Sequence, residues 1–154
     1  MRIEIVCIGR LGATPEAGLA KTYTARATAQ GRSLGFGPVE IAEVEARKAG
    51  RAAEGEALLA KATGARIIAC DEHGRARTSR DLAAHLAALR DGGERRLAFM
   101  IGGADGLDEL VLGAAAERLA FGPQTWPHAL VRVMLAEQIY RAATILAGSP
   151  YHRD

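Results

Sequence analysis

Apolar residues fall in short clusters along this chain, and the spacing within each cluster assigns an element. "IEIVCIG" (Ile3 to Gly9) is nearly continuous, which suits a strand covered on both faces. "VEIAEVE" (Val39 to Glu45) alternates, as a half-exposed or edge strand does. "ARIIAC" (Ala65 to Cys70) and "RLAFMIGG" (Arg96 to Gly103) are again short and buried in character. Helical stretches lie between them. Thr14-Pro15 is a start signal, because threonine caps while proline costs nothing at the first helical position; the helix it opens reaches about Gln30. A second helix runs from about Ala52 to Thr63 and closes at Gly64. A third is capped by Thr78 or Ser79, and Leu82, Leu86 and Leu89 form its apolar stripe. A fourth covers Leu107 to about Ala120, and a fifth about Pro127 to Ala147. Strands alternating with helices predict an α/β fold: a single domain, residues 1–154, with a mostly parallel sheet flanked by helices on both faces.

Charge and cysteine usage narrow the classes. Twenty Lys and Arg against 18 Asp and Glu leave a net charge of +2, which excludes a polycationic nucleic-acid coat but not a local basic patch. "EARKAGRAAEGE" (Glu45 to Glu56) is either a solvated charge run leading into a helix or an RNA-facing loop carrying Arg47, Lys48 and Arg51. No segment approaches the roughly 20 apolar residues of a membrane span, and the opening run is too short and too charged for a signal peptide. Cys7 and Cys70 each end a β-branched run and read as buried thiols, which fits a reduced, cytoplasmic setting. With no Cys/His cluster, no metal site is expected.

Three stretches carry candidate chemistry. "FMIGGADGLDE" (Phe99 to Glu109) places Gly102, Gly103 and Gly106 between a buried strand and a helix, where open α/β sheets bind ligands. It is either a tight turn serving the chain alone or one that admits a ligand. It is not the dinucleotide fingerprint, since its first two glycines are adjacent and Asp105 and Asp108 would repel a pyrophosphate. "CDEHGRARTS" (Cys70 to Ser79) is expected to be a loop after the third strand, able to accept hydrogen bonds from a cationic ligand, or simply an exposed connection. "FGPQTWPHALVRVMLAEQIYRA" (Phe121 to Ala142) begins with a loop stiffened by Gly122, Pro123 and Pro127, whose backbone groups suit an adenine edge. In the helix behind it Glu137 precedes Arg141 by four residues, so an intrahelical ion pair is one account of both. The helix is apolar over more than one stripe, as a subunit interface would require. His85 is expected to flank its leucine stripe without chemistry.

The "IGGADG" turn, "WPHALVRVMLAEQIYRA" and the terminal "PYHRD", supported by "IVCIGRL" and "CDEHG", resemble the RlmH family, ribosomal large-subunit pseudouridine N3-methyltransferases of the SPOUT superfamily. The resemblance spans essentially the whole chain in the same order. It implies a C-terminal trefoil knot, which general folding rules disfavour, and a homodimer. The methyl donor it implies is S-adenosylmethionine, held by Cys70, Gly102 and the loop Phe121, Gly122, Pro123, Gln124, Thr125 and Trp126. A pseudouridine of 23S rRNA in the assembled ribosome would be the substrate. Tyr151, His128 and Arg132 would bind it, with His152, Arg141 and Arg153 as catalytic groups. His128, at the start of the last helix, is expected either to fix the donor loop by a hydrogen bond or to move a proton. Cys70 and "FGPQTW" depart from the family's usual leucine and serine-rich strand, which backbone contacts to an adenine survive. The alternatives are a SPOUT enzyme for another RNA base, a non-catalytic ribosome-binding protein, or, from the bare pattern, another nucleotide-binding α/β protein.

Overall fold

The computed structural model describes residues 1–153. Strands β1 (Arg2–Ile8), β2 (Val39–Val44), β3 (Arg66–Ala76), β4 (Arg96–Ile101) and β5 (Glu117–Ala120) form one sheet in the order β2-β1-β4-β3-β5, with every neighbouring pair parallel. The connecting helices are α1 (Pro15–Gly31), α2 (Arg51–Lys61), α3 (Ser79–Asp91), α4 (Glu109–Ala114) and α5 (His128–Leu146).

Strand periodicity sorts the core into two layers. Ile3, Ile5 and Cys7 of β1 and Leu97, Phe99 and Ile101 of β4 face a cluster shared with Ala27 of α1, Leu82 and Leu86 of α3, and Leu135 and Ile139 of α5. The residues between them, Val6, Ile8, Ala98 and Met100, face the opposite layer with Leu58 of α2 and Val111 of α4. Each buried side chain of this size contributes about 1.5–3 kcal/mol, so burial on both faces accounts for the near-continuous apolar runs. Helix starts follow local chemistry: Thr14 caps α1 through its side chain, and Thr78 with Asp81 forms a capping box on α3. β2 lies at one edge, as its alternation indicates.

Two expectations are corrected. The fourth helix does not reach Ala120: α4 ends at Ala114, and residues 117–120 form β5. "AAAERLA" has strong intrinsic helix preference, but the free edge of β3 offers backbone partners, and tertiary pairing overrides a weak propensity. β3 likewise continues past Cys70 to Ala76, with an irregularity between Cys70 and Arg75, so "CDEHG" is a distorted strand rather than a loop. Gly74 makes this possible, since a Cβ there would lie 2.7 Å from the backbone of Arg118 and Leu119.

His85, expected to carry no chemistry, has a structural partner. Its Nε2 lies 2.6 Å from Glu117 Oε1, while Arg77 donates to Glu117 Oε2 at 2.8 Å, so one carboxylate ties α3 and the end of β3 to the edge strand. Burial alone would raise the Glu117 carboxyl, but the bonds from Arg77 and His85 outweigh it and hold the group below its ordinary 4.5. A depressed carboxylate adds stability above its unfolded value and loses it as pH falls through the folded one. The stability advantage of the native chain over Glu117→Gln is therefore expected to shrink as pH drops below about 4.5. Urea midpoints of both proteins between neutral and strongly acidic pH measure this.

Candidate active site

Because all five strands are parallel, their carboxyl ends share one rim, where such sheets leave a crevice. A cavity of about 730 Å³ opens there above β3, β4 and β5. One wall is the turn from Gly102 to Leu107 after β4, another the end of β3 from Cys70 to Glu72, and the third the loop after β5 into α5. This is the size range of small-molecule sites.

Each wall has a local cause. A Cβ on Gly102 would lie 2.5 Å from the carbonyl carbon and oxygen of Gly106, so only glycine lets the turn fold this tightly. The amide of Gly106 closes the turn by donating to Gly103 O at 3.2 Å. In the loop after β5, the Trp126 indole N–H donates to Phe121 O at 3.1 Å, and the Thr125 hydroxyl donates to Glu72 Oε2 at 2.9 Å, joining this wall to β3. Gly102→Ala is expected to force the turn open at about 1–3 kcal/mol of strain, lowering small-ligand affinity by roughly tenfold or more. Calorimetric titration of both proteins with S-adenosylmethionine checks this.

The lining is chemically divided. Ile101, Leu107, Leu119, Phe121 and Val131 supply apolar surface, whereas Asp71, Glu72 and Asp105 supply carboxylates and His128 an imidazole. His128 Nδ1 is buried with no hydrogen-bond partner, so the loop-fixing bond expected of this side chain is not formed. Cys70 lines the cavity, and burial pushes its thiol well above the ordinary range, while Cys7 is pushed up to about 12 by burial; both act as apolar groups.

Of the residues assigned to the donor, Cys70, Gly102, Phe121, Gln124, Thr125 and Trp126 meet at this cavity. Gly122 faces a neighbouring groove bounded by Leu19, Tyr23 and Met134, and Pro123 lines neither. His128, assigned to the substrate, lines the same cavity.

Arg132 is the clearest departure. Expected to meet the substrate, it is fully buried. Its Nη1 donates to Glu43 Oε1 at 3.0 Å and its Nη2 to the carbonyls of Ile8 and Gly9, the latter at 3.1 Å, and Glu43 also accepts from Leu11 N at 3.0 Å. It pins α5 to the ends of β1 and β2. Sequence reading missed Glu43 because its partner lies 89 residues away and a single acid on an edge strand looks solvated.

The tail forms a second constellation on its own α5. Glu137 Oε1 accepts from Arg141 Nε at 3.0 Å, Arg141 Nη2 at 2.6 Å and the Tyr151 hydroxyl at 3.0 Å. The Tyr151 ring packs against Tyr140 with centroids 4.6 Å apart and planes tilted by 59°, and lies beneath the Arg141 guanidinium at 4.8 Å. Burial and then the bond to Glu137 push the Tyr151 phenol well above its ordinary value, so it remains a protonated donor. The hydrogen bond to Glu137 raises Arg141 further, keeping it charged. Arg141 Nη1 sits 3.3 Å from His152 Nδ1. Arg153 is exposed. None of Arg141, Tyr151, His152 and Arg153 lines the cavity of the same chain, and Asp154 lies outside the described residues.

The sequence matches the family described as "Predicted SPOUT methyltransferase" over residues 1–152. The chain belongs to the SPOUT methyltransferase family. It is 64% identical over 154 residues, covering all of both chains, to "Ribosomal RNA large subunit methyltransferase H" of Caulobacter sp. (strain K31), and equally to the protein of that name from Phenylobacterium zucineum (strain HLK1). Among solved structures it resembles a tRNA (m1G37) methyltransferase from Aquifex aeolicus at TM-score 0.54 and 11% identity, covering 99% of this chain and 74% of that one. A putative methyltransferase from Legionella pneumophila, in complex with the bound cofactor SAM, gives TM-score 0.50 at 11% identity over 92% of this chain and 66% of that one. The two structures support the fold. S-adenosylmethionine is the SPOUT methyl donor, and the cavity fits it: apolar walls for an adenosine, three carboxylates for a cationic end, and the unpaired His128 Nδ1. Among the described residues no cluster suits a metal ion and no helix is long and apolar enough to cross a membrane.

Proposed function

We propose that this chain is an S-adenosylmethionine-dependent methyltransferase of 23S rRNA, acting on N3 of a pseudouridine in the assembled ribosome. In this reading it works as a homodimer in which the closing residues of one copy complete the donor cavity of the other. The observation that carries it is the separation of two prepared half-sites: a small-molecule cavity at the strand ends, and an ordered Arg141–Tyr151–His152 cluster outside that cavity. A second copy joins the halves. Leu19 and Leu130, exposed on α1 and α5, and the groove between Tyr23 and Met134 supply apolar surface for the pairing. The order β4-β3-β5, in which the chain passes β3 before entering α5, supports the threaded C-terminal half that the family implies.

When bound, the donor supplies an electrophilic methyl group on a sulfonium sulfur. The chain's own part is placement, because an attacking nitrogen held about 3–3.5 Å from its target in line removes much of the barrier. Gly102 and the loop from Phe121 to Trp126 define one side of that line. From the mate, Tyr151 offers a ring for base stacking, worth ~1–3 kcal/mol. The N3 proton passes to a base, the role for which His152 is the candidate, and Arg141 and Arg153 stabilise the negative charge that develops on the nucleobase.

Mass mapping of nucleosides in ribosomes from cells lacking this chain tests the proposal. One methylated pseudouridine should disappear and return when purified protein and S-adenosylmethionine are added. A methyl lost from a different base would move the enzyme to the alternative RNA substrate, and an unchanged nucleoside profile would leave only ribosome binding.

A further inference from the structure

The rim that holds the donor cavity is split in charge. Over β3, β4 and β5 the cavity lining carries Asp71, Glu72 and Asp105 and neither Lys nor Arg. Such a surface repels a polyanion. The other half, over β1 and β2, is different. Arg10 follows β1, and Arg47, Lys48 and Arg51 follow β2, all four exposed.

These residues share the rim over β1 and β2, and contacts around them tie that rim together. Arg10 Nε lies 3.3 Å from Glu45 Oε1, which bridges the loops after β1 and β2. The same loops are pinned from below by Glu43, which accepts from Leu11 N and from the buried Arg132. One turn after Arg51 on α2, a Glu54 oxygen sits 2.9 Å from where a Cβ on Gly103 would be, so the patch abuts the glycine turn of the cavity. Adjacent strands lie about 4.8 Å apart, which puts the end of β2 roughly 10–15 Å from the ends of β4 and β3. That distance spans a few nucleotides. The Arg10–Glu45 pair is exposed and contributes little, so a phosphate replaces Glu45 at small cost.

We infer that Arg10, Arg47, Lys48 and Arg51 form the docking surface for the rRNA phosphate backbone flanking the target, fixing the strand over β1 and β2 while its base reaches the cavity beyond β4. This rests on the proposed rRNA substrate and adds the location and direction of the RNA. Phosphate contacts position without reading sequence, so the surface sets affinity and its salt dependence, not the choice of base.

The triple variant Arg47→Gln/Lys48→Gln/Arg51→Gln tests it in the full-length protein with purified ribosomes, each measurement repeated between roughly 50 and 200 mM salt. Lys61→Gln/Arg95→Gln, two exposed cations at the opposite rim, is the control. The expected result is weaker ribosome binding by the triple variant, with the slope of log affinity against log salt reduced by about 2–3, unchanged S-adenosylmethionine affinity, and a control like the native protein. Native-like slope and affinity in the triple variant, or equal losses in the control, would overturn the surface while leaving the methyltransferase reading intact. Failure of the native protein to methylate ribosomes would instead remove that reading itself.

Discussion

Removal of residues 149–154 is expected to abolish methyl transfer to ribosomes while leaving S-adenosylmethionine binding at the native level. Among the described residues the tail does not line the cavity of its own chain, and what it adds to the mate's cavity is the face that meets the nucleobase, so donor affinity is expected to change little. What disappears is the surface that presents the nucleobase: Tyr151 against Tyr140, His152 beside Arg141, and the exposed Arg153. Positioning and charge stabilisation each supply several kcal/mol, so a loss of about 10³-fold or more in turnover follows. The cost to folding is small by comparison. One aromatic pair and one hydrogen bond from Tyr151 to Glu137 amount to about 1–2 kcal/mol, a few degrees in Tm for a chain of this size. Mixing truncated chains with a donor-site variant separates the account from a merely local effect. If the tail acts across the interface, hybrids recover part of the activity, because one of the two sites is whole; if it acts within its own chain, they recover none.

Replacing Arg132 by methionine is expected to produce the largest stability loss of any single change discussed. The guanidinium is buried and satisfies Glu43 and the carbonyls of Ile8 and Gly9 together. Methionine fills much of the volume but leaves two strand-end carbonyls without the guanidinium and a part-buried carboxylate with only the Leu11 amide. Breaking a buried pair from one side costs about 3–5 kcal/mol, and the partial exposure of Glu43 places this case near 3. Thermal unfolding should shift down by roughly 6–12 °C. Lysine keeps the charge but not the planar fork, so Arg132→Lys should fall between the two. A methionine variant as stable as the native protein would show that the buried network is incidental.

Arg132 also shows where sequence reading stops. On the helix it sits among apolar neighbours, and nothing local distinguishes a cation that meets RNA from one that anchors a strand end 124 residues away. The sheet was legible because burial on both faces leaves an unbroken apolar run, as in β1 and β4. β5 was not, because its four residues follow an alanine-rich segment whose preference is helical and whose strand conformation depends on the edge of β3. The same pairing hid the true end of β3 behind the charged "CDEHG", where Gly74 passes against the Arg118–Leu119 backbone. The partner of His85 was hidden for a similar reason: Glu117 reaches it only once β5 exists. The candidate site fared better. A glycine turn after a strand and a proline-bounded loop before a helix are local signals, and both walls of the cavity follow from them. Which glycines and prolines face inward does not, since that depends on how the loop crosses β3.

A crystal structure of the protein grown with S-adenosylmethionine tests the central claim most directly. The account predicts the donor enclosed between the Gly102 turn, the end of β3 and the loop from Phe121 to Trp126. A donor bound elsewhere, with that cavity filled by solvent, would contradict it.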